Sequence, residues 1–173
     1  MSYAFYVTDQ DQNKIPVSLS PASRSDCIET RANHWQTDWT SEYIQQDHFD
    51  KYAMVVENTG ELIGLLACEP IPEQYCLFLA YMEAAPDCNP TLVKKDERKY
   101  YDIGRAFIAF SVQLAFASDC DGTLSFRAKT TALLEHYTRV YGAKRLNHYS
   151  YDLILFPEDG IRTLKHFTKE DNE

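Results

Sequence analysis

The chain has 173 residues, 45% of them hydrophobic, so one domain can bury a sizeable core without help from disulfides or a metal. Twenty-six acidic and seventeen basic side chains give a net charge of −9. Such a surface repels phosphate backbones and argues against a nucleic-acid partner. No apolar run approaches the ~18 residues that suggest a membrane helix, and no signal-peptide pattern is present. We therefore expect a cytoplasmic protein with no membrane segment.

The cysteine count is odd, and the cysteines are widely spread in mostly apolar sequence. This usage favours buried, reduced thiols over a disulfide framework. No CxxC pair or HExxH motif occurs, so we predict no metal site. The five cysteines are Cys27, Cys68, Cys76, Cys88 and Cys120.

The first fifty residues combine strand-like and helix-like patterns. Two runs rich in β-branched and aromatic residues, 3–7 and 14–19, predict an opening hairpin or two short strands. Asp26 resembles the start of a capping box, and apolar residues then recur at helical spacing as far as Trp39. This pattern predicts a helix over about 24–38.

The middle of the chain has the pattern of antiparallel strands. Residues 52–57 and 61–68 flank a short loop that contains Gly60, which is typical of a hairpin. Residues 74–83 form a longer apolar and aromatic run, and the strand stops before Pro86 because proline removes a ladder donor. This run is the best candidate for a central strand.

The second half of the chain contains more helix. The segment 87–98 is polar and long for a connection, so it is a candidate functional loop. Residues 104–117 carry apolar side chains around nearly the whole circumference, which predicts a helix packed on more than one side. A strand over 123–128 follows, and then a helix that opens at 130 or 131 and ends before Gly142.

A last strand over about 145–156 and a terminal helix from 157 or 158 to about 169 complete the predicted order. The chain has no repeats and no obvious linker. It therefore predicts a single domain, 1–173, of an α/β or mixed α+β class.

The helix start near residue 104 is suited to bind an anion. The first N–H groups of a helix lack intrahelical partners and carry a partial positive charge, a geometry that suits a pyrophosphate. Residues 94–105 hold five basic and three acidic side chains, a local charge of +2 against −11 for the rest of the chain. The alternative is an ordinary solvated loop before a core helix. The basic residues are Lys94, Lys95, Arg98, Lys99 and Arg105.

The loop that opens this helix resembles the pyrophosphate loop of the GNAT acetyltransferases, which has the pattern Gln/Arg-x-x-Gly-x-Gly/Ala after a central strand. Lys99 stands in the place of the Gln or Arg, Asp102 in that of the first glycine, and Gly104 matches the second. Arg105 and Ala106 follow, where the family commonly has a basic or small residue and then alanine.

The sequence on either side of the loop adds to this resemblance. Tyr137 and Gly142 fill the places of a tyrosine near the end of a helix and a glycine after it, and Glu83 begins the Glu-x-x-Pro strand ending of a bacterial GNAT-like branch. The resemblance covers about residues 50–157. It implies an acceptor-side region over 1–50, a cofactor-binding core over 51–157 and a C-terminal helix over 158–173.

The resemblance implies a fold and a cofactor. The GNAT fold is a mixed, mostly antiparallel sheet flanked by helices, in which two parallel strands, one ending near Ala84 and the other 123–128, splay apart. Acetyl-CoA would lie with its pantetheine arm between them, and a backbone N–H near Ala84 would polarise the thioester. The implied cofactor-binding residues are Ala84, Lys99, Tyr101, Asp102, Ile103, Gly104, Arg105, Ala106 and Thr130.

The resemblance also implies two catalytic residues. In the family's direct-attack mechanism a general base takes a proton from the acceptor amine and a tyrosine protonates the leaving thiolate. The matching residues are Glu83 and Tyr137. The residues alone leave two alternatives open: a locally paired carboxylate at Glu83, and a core aromatic at Tyr137.

Two functions fit these observations. The first is transfer of an acetyl group from acetyl-CoA to a primary amine of a small molecule, or to a protein lysine or N-terminus, and the acidic surface suits a cationic acceptor. The second is a catalytically degenerate GNAT module that binds acyl-CoA or a protein partner, since Asp102 places a carboxylate near the expected pyrophosphate. A homodimer is compatible with either function.

Overall fold

The computed structural model describes residues 2–169. Part of the predicted C-terminal helix, residues 170–173, lies outside the described residues. Within the described chain, eight strands form a sheet with the hydrogen-bonded order β1-β2-β3-β4-β5-β6-β8-β7. The strands are β1 (Tyr6–Thr8), β2 (Lys14–Pro21), β3 (Asp50–Val56), β4 (Leu62–Ile71), β5 (Cys76–Ala84), β6 (Leu124–Arg127), β7 (Lys144–Arg145) and β8 (Asp152–Leu155).

The strand directions confirm a mixed, mostly antiparallel sheet. Strand β2 pairs antiparallel with both β1 and β3, and β8 pairs antiparallel with both β6 and β7. Strands β5 and β6 pair in parallel. The bounds of β1 to β6 each lie within three residues of those predicted from the sequence.

Four α-helices lie within residues 2–169, and the longest is the predicted core helix. Its buried side chains include the whole run from Ala106 to Phe110, together with Val112 and Ala115. These positions cover more than one face, so the prediction of a helix packed on several sides is confirmed. The helices are α1 (Arg24–Ala32), α2 (Ile103–Ala117), α3 (Thr131–His136) and α4 (Pro157–Lys165).

The residues group into two compact units. The first unit comprises residues 4–67 and 81–107, and it contains β1, β2, β3, α1 and the start of α2. Among the described residues, the second unit comprises residues 2–3, 68–80 and 108–169, and it contains β6, β7, β8, α3 and α4. Glu83 and the candidate pyrophosphate loop belong to the first unit, whereas Tyr137 belongs to the second.

Helix α1 is shorter than the sequence pattern predicts. Its capping box is formed by Ser23 and Asp26, with Asp26 at the third helical position rather than at the cap. The helix ends at Ala32, and His34 then adopts a left-handed φ of 59°, which an α-helix cannot continue. Trp39 is fully buried beyond the helix, so the helical spacing that assigned it to α1 was wrong. The core cluster around it comprises Cys27, Ile44, Ala53, Leu62, Leu65 and Ala67.

The C-terminal region differs from the prediction in two places. The single strand predicted over 145–156 is two short strands, β7 and β8, joined by a loop. Arg145, at the end of β7, donates to the backbone carbonyls of His148 and Ser150 in this loop. Helix α4 ends at Lys165, four residues earlier than predicted, and Thr168 instead forms a β-bridge with Tyr3.

The five cysteines are buried thiols outside any disulfide, as predicted. Burial raises the pKa of the Cys88 thiol to about 12 and also raises the pKa values of Cys27 and Cys120. Because the thiolate is the reactive form, we expect the native protein to leave all five thiols unreacted with a disulfide reagent at about pH 8. In denaturant all five are expected to react. A labelled cysteine in the native protein, located by mass spectrometry, would contradict this placement.

Candidate active site

The loop that resembles a pyrophosphate loop leads directly into α2. Asp102 immediately precedes the helix and has a φ of 68°, a left-handed conformation that glycine adopts freely and that Asp tolerates better than most residues. The Ala106 N–H donates to the Asp102 carbonyl at 3.0 Å, and the Lys99 N–H donates to the Asp87 carbonyl at 3.0 Å. Asp102, which stands at the position of the first motif glycine, therefore has a backbone conformation that glycine would adopt without strain.

The end of strand β1 holds this loop. Thr8 and Tyr101 exchange backbone hydrogen bonds of 2.8 and 3.2 Å. The Thr8 hydroxyl donates to the Asp102 carboxylate at 3.0 Å. The Gln10 side chain donates to the Arg98 carbonyl at 3.0 Å. The sequence carries no local signal for these contacts, because the side-chain donors lie 94 and 88 residues from their acceptors along the chain.

Carboxylates pair with two of the basic side chains in this region. Lys99 Nζ lies 2.7 and 2.8 Å from the two carboxylate oxygens of Glu61, and this hydrogen bonding raises the pKa of Lys99. Arg105 Nη1 lies 3.8 Å from a carboxylate oxygen of Asp102. Arg98 differs, because its buried Nε has no hydrogen-bond partner within the described part of the chain.

Two glycines define the surroundings of the first turn of α2. A Cβ built on Gly64 of β4 would lie 2.6 Å from the Phe107 ring and 3.3 Å from Ile103 Cγ2, so the absence of a side chain lets the helix pack closely on the strand. A Cβ built on Gly104 would meet nothing within 4 Å. The helix is thus packed against β4 on one side and sterically open at the second motif glycine.

The end of β5 carries the buried carboxylate of Glu83, which is 8% exposed. Its oxygens accept hydrogen bonds from the backbone N–H groups of Gln36 at 2.8 Å and Thr37 at 3.2 Å. They also accept one from Trp39 Nε1 at 2.7 Å. The carboxylate is therefore paired within the protein, with donors that lie 44 to 47 residues away along the chain, and its role as a general base stays a prediction. Ala84, the last residue of β5, is half-buried.

The parallel pair ends before β5 does. The register between β5 and β6 joins Leu77 to Leu124 and Leu79 to Phe126, and β5 then continues to Ala84. A parallel pairing that stops partway along a strand is compatible with the splayed strands implied by the resemblance, and the splay itself stays a prediction.

In the second unit, Thr130 and the turn after α3 are placed by backbone hydrogen bonds. Thr130 is the N-cap of α3, and its Oγ1 accepts from the Leu133 N–H at 3.2 Å. After α3 the chain makes a π-helical turn, Tyr137–Tyr141, which ends at Gly142 with a φ of 79°. Turns of this kind are frequent at functional sites, and Tyr137 begins this one.

Tyr137 is half-buried among aromatic rings. Its ring lies edge-on to Phe126 of β6 with centroids 5.0 Å apart, and its centroid is 6.0 Å from that of Tyr141. Burial raises the pKa of its phenol, because the charged phenolate loses hydration in these surroundings. At neutral pH the side chain therefore carries its proton.

Within residues 2–169, no group of three or more His, Cys, Asp or Glu side chains is arranged to hold a metal ion. The helices formed by the same residues are all too short or too polar to cross a membrane. The candidate site residues of the first unit therefore lie in the loop before α2 and at the end of β5, and those of the second unit are Thr130 and Tyr137.

Comparison with known proteins gives structural matches only. No protein-family model matches the chain, and no curated protein matches it. Among solved structures, spermidine N-acetyltransferase from Vibrio cholerae in complex with CoA and spermine is 10% identical with a TM-score of 0.56, and the match covers 84% of this chain and 98% of that one. The ribosomal-protein-S18-alanine N-acetyltransferase from Escherichia coli is 14% identical with a TM-score of 0.53, covering 91% and 98%.

A third match is AAC(6')-Ib in complex with paromomycin and acetyl-CoA, which is 13% identical with a TM-score of 0.57, covering 90% of this chain and 98% of that one. All three are acetyltransferases that share one architecture over most of both chains. The chain therefore has the GNAT fold, and the fold implied by its sequence resemblance is confirmed.

The close packing at Gly64 yields a test of what positions the loop. We expect Gly64→Ala to lower the free energy of unfolding by about 1–3 kcal/mol, because the added methyl group overlaps the Phe107 ring. Gly104→Ala is the matched control, since its methyl group meets open space and should leave stability unchanged or slightly higher. Urea unfolding of both variants measures the difference. Equal stabilities would show that α2 does not depend on the approach at Gly64.

Proposed function

We propose that the protein is an acetyl-CoA-dependent N-acetyltransferase that acetylates a primary amine. The observation that carries the proposal is the left-handed turn at Asp102 directly before α2. It supports the assignment of this loop as the pyrophosphate loop of a GNAT fold, despite the missing glycine. A degenerate module that binds only a protein partner would not require this conformation.

The residues around the start of α2 fit a coenzyme A pyrophosphate. The backbone N–H groups of Ile103, Gly104 and Arg105 belong to the first helical turn, where N–H groups have no intrahelical acceptor and favour an anion. The open space at Gly104 admits close approach to this backbone. The unpaired, buried Nε of Arg98 offers a further donor for a phosphate oxygen. Acetyl-CoA would supply the acetyl thioester.

The negative charge of Asp102 is partly offset by its own contacts. The Thr8 hydroxyl donates to one carboxylate oxygen and Arg105 lies near the other, so the carboxylate is directed to protein groups. Ion pairs at exposed positions like these are weak, so part of the repulsion towards a phosphate persists. The positive charge of Lys99 is offset in the same way, because its ammonium group lies beside the Glu61 carboxylate.

Tyr137 is proposed as the acid that protonates the leaving thiolate. Its raised pKa, caused by burial, keeps the phenolic proton in place through the neutral range. The π-helical turn that begins at Tyr137 fixes its backbone. Thr130 and the backbone near Ala84 are further proposed contacts to the cofactor arm.

The acceptor is proposed to be a cationic amine. Residues 26–50 hold six acidic side chains and one basic one, and such a surface raises the local concentration of cations. Spermidine, a ribosomal-protein alanine and paromomycin, which appear in the names of the similar structures, all present amines. The chain is therefore best tested with both small polyamines and peptide N-termini.

A second candidate function is a non-catalytic GNAT module, favoured by the pairing of Lys99 with Glu61. A cation already matched by a carboxylate contributes less to phosphate binding. Binding and turnover separate the two candidates. A non-catalytic module would release no thiol with any amine, whether it binds acyl-CoA or only a protein partner.

Calorimetry with acetyl-CoA tests the cofactor site. We expect saturable binding at concentrations below about 1 mM. Removing the charge of Asp102 should tighten binding about 5-fold, because one unit charge near a phosphate at partial screening costs on the order of 1 kcal/mol.

The two variants for this test are Asp102→Asn and Asp102→Gly. Asn keeps a side chain that tolerates the left-handed conformation, whereas Gly also removes the conformational constraint. An equal gain in both isolates the charge as the cause. No binding by the parent chain near 1 mM would rule out the enzyme, and unchanged affinity in both variants would show that no phosphate lies near Asp102.

Tyr137→Phe tests the proposed acid. We expect kcat to fall by roughly 10²- to 10⁴-fold, with acetyl-CoA affinity unchanged. Burial raises the pKa of Tyr137 above its ordinary value of 10.0. The parent should therefore keep its activity up to at least pH 10.0 and lose it only at the higher pH where the phenol ionises. The variant should lack this alkaline limb.

The matched control is Tyr149→Phe, since Tyr149 is 99% exposed and the chemical change is the same. It should leave the pH profile of kcat unchanged. A Tyr137→Phe variant with the parent's kcat would instead identify the side chain as a packed aromatic.

A further inference from the structure

The acceptor capacity of the Glu83 carboxylate is used by the protein itself. A carboxylate offers about four lone-pair sites. Oε1 accepts from the N–H groups of Gln36 at 2.8 Å and Thr37 at 3.2 Å. Oε2 accepts from Trp39 Nε1 at 2.7 Å and from the Thr37 N–H at 3.4 Å. A side chain that is almost entirely buried and accepts these four contacts presents little free basic oxygen to a substrate.

The donors all belong to one short segment, residues 36–39, which has neither helix nor strand. It follows the end of α1 and the left-handed turn at His34. At its far end the Trp39 ring is fully buried and meets the Tyr81 ring edge-on, with centroids 6.3 Å apart. Without ladder or helix bonds, the backbone N–H groups of Gln36 and Thr37 depend on the carboxylate for their partners.

Side chains from the loop after β5 hold the same segment. The Gln36 Oε1 accepts from Asn89 Nδ2 at 3.2 Å and from the Thr91 hydroxyl at 3.0 Å. Asn89 is 7% exposed, so these bonds form partly out of water. Residues 36–39 are thus held both by Glu83 at the end of β5 and by the loop that follows this strand.

We propose that Glu83 is a positioning residue that holds residues 36–39 as one wall of the acceptor site, in place of the general-base role implied by the family resemblance. The location of an acceptor site here rests on the proposed function, whereas the anchoring of residues 36–39 does not. Loss of the carboxylate should loosen this wall and weaken amine binding. Acetyl-CoA affinity should stay the same.

The informative variant is Glu83→Gln. Glutamine keeps the size and one acceptor oxygen, but it replaces the other oxygen with an NH2 donor. Beside Trp39 Nε1 this puts two donors face to face, so a buried donor loses its partner. Trp39→Phe removes the indole N–H, and a double variant therefore lacks this conflict.

Amide hydrogen exchange measured by NMR tests the anchoring without any assay of activity. In the parent, the Gln36 and Thr37 amides should be protected, and Glu83→Gln should speed their exchange about 10-fold or more. In the Trp39→Phe background the same change should have a smaller effect, because the donor conflict is absent.

Glu42→Gln is the matched control, since Glu42 is exposed and the charge change is identical. It should leave exchange at residues 36 and 37 as in the parent. Unchanged exchange at these amides in Glu83→Gln would overturn the proposal. Circular dichroism shows whether each variant is folded.

Should Glu83→Gln fail to fold, Trp39→Phe alone carries the test, because it removes one donor and keeps the carboxylate. Faster exchange at Gln36 or Thr37 together with a raised KM for the amine supports the proposal. Parent-like values of both overturn it.

Steady-state kinetics with spermidine as the probe amine, or an alanine-starting peptide if spermidine is not acetylated, separate the two roles. Positioning predicts a KM for the amine raised about 10-fold in Glu83→Gln, a kcat within about 3-fold of the parent and an unchanged acidic limb of the pH profile. A general base predicts a kcat lowered about 100-fold or more and loss of that limb, and this result would overturn the proposal.

The failure of the proposed function gives a different pattern. A parent chain that binds no acetyl-CoA in calorimetry refutes the acetyltransferase, and the exchange rates then decide by themselves whether Glu83 anchors residues 36–39.

Discussion

The candidate site depends on the close packing of the first turn of α2 against Gly64. This contact places Ile103 and Phe107 over β4, and it therefore determines where the loop must turn and where the free N–H groups of the helix lie. Asp102 directly precedes this helix with a left-handed φ of 68°, so the chain enters the helix in a conformation that glycine favours. A helix start can serve an anion only if its own position is rigid. Packing therefore determines the position of the site, and charge acts on a backbone that is already placed.

The basic side chains around the start of α2 are partly paired with carboxylates. Lys99 is matched by Glu61, and Arg105 lies beside Asp102, so two of the five basic residues counted along the sequence already have a carboxylate partner. The buried Nε of Arg98 has no hydrogen-bond partner within the described residues. Recognition of a phosphate would rest mainly on oriented backbone N–H groups, which carry no net charge and need no counterion.

The sequence predicted features that depend on neighbours along the chain and missed those that depend on distant ones. The apolar circumference of α2 and the hairpin around Gly60 are local patterns, and both were correct. Helical spacing assigned Trp39 to α1, whereas its ring lies beyond the helix in the core cluster and its Nε1 donates to Glu83, 44 residues away. The contact of Thr8 with Asp102 likewise joins residues far apart along the chain, 94 residues in this case. Periodicity measures which side of an element is apolar, and it contains no information on which distant donor satisfies a buried carboxylate.

The attachment of the loop to Thr8 has a thermodynamic consequence for the edge strand β1. Residues 6–8 form a short strand at one end of the sheet, the kind of element that opens most readily in a native protein. Because Thr8 bonds both to Tyr101 and to Asp102, any ligand that prefers the ordered loop also prefers the closed edge. The free energy of binding is then shared with the first hairpin, and by linkage a chain whose edge strand is open has a lower affinity for that ligand.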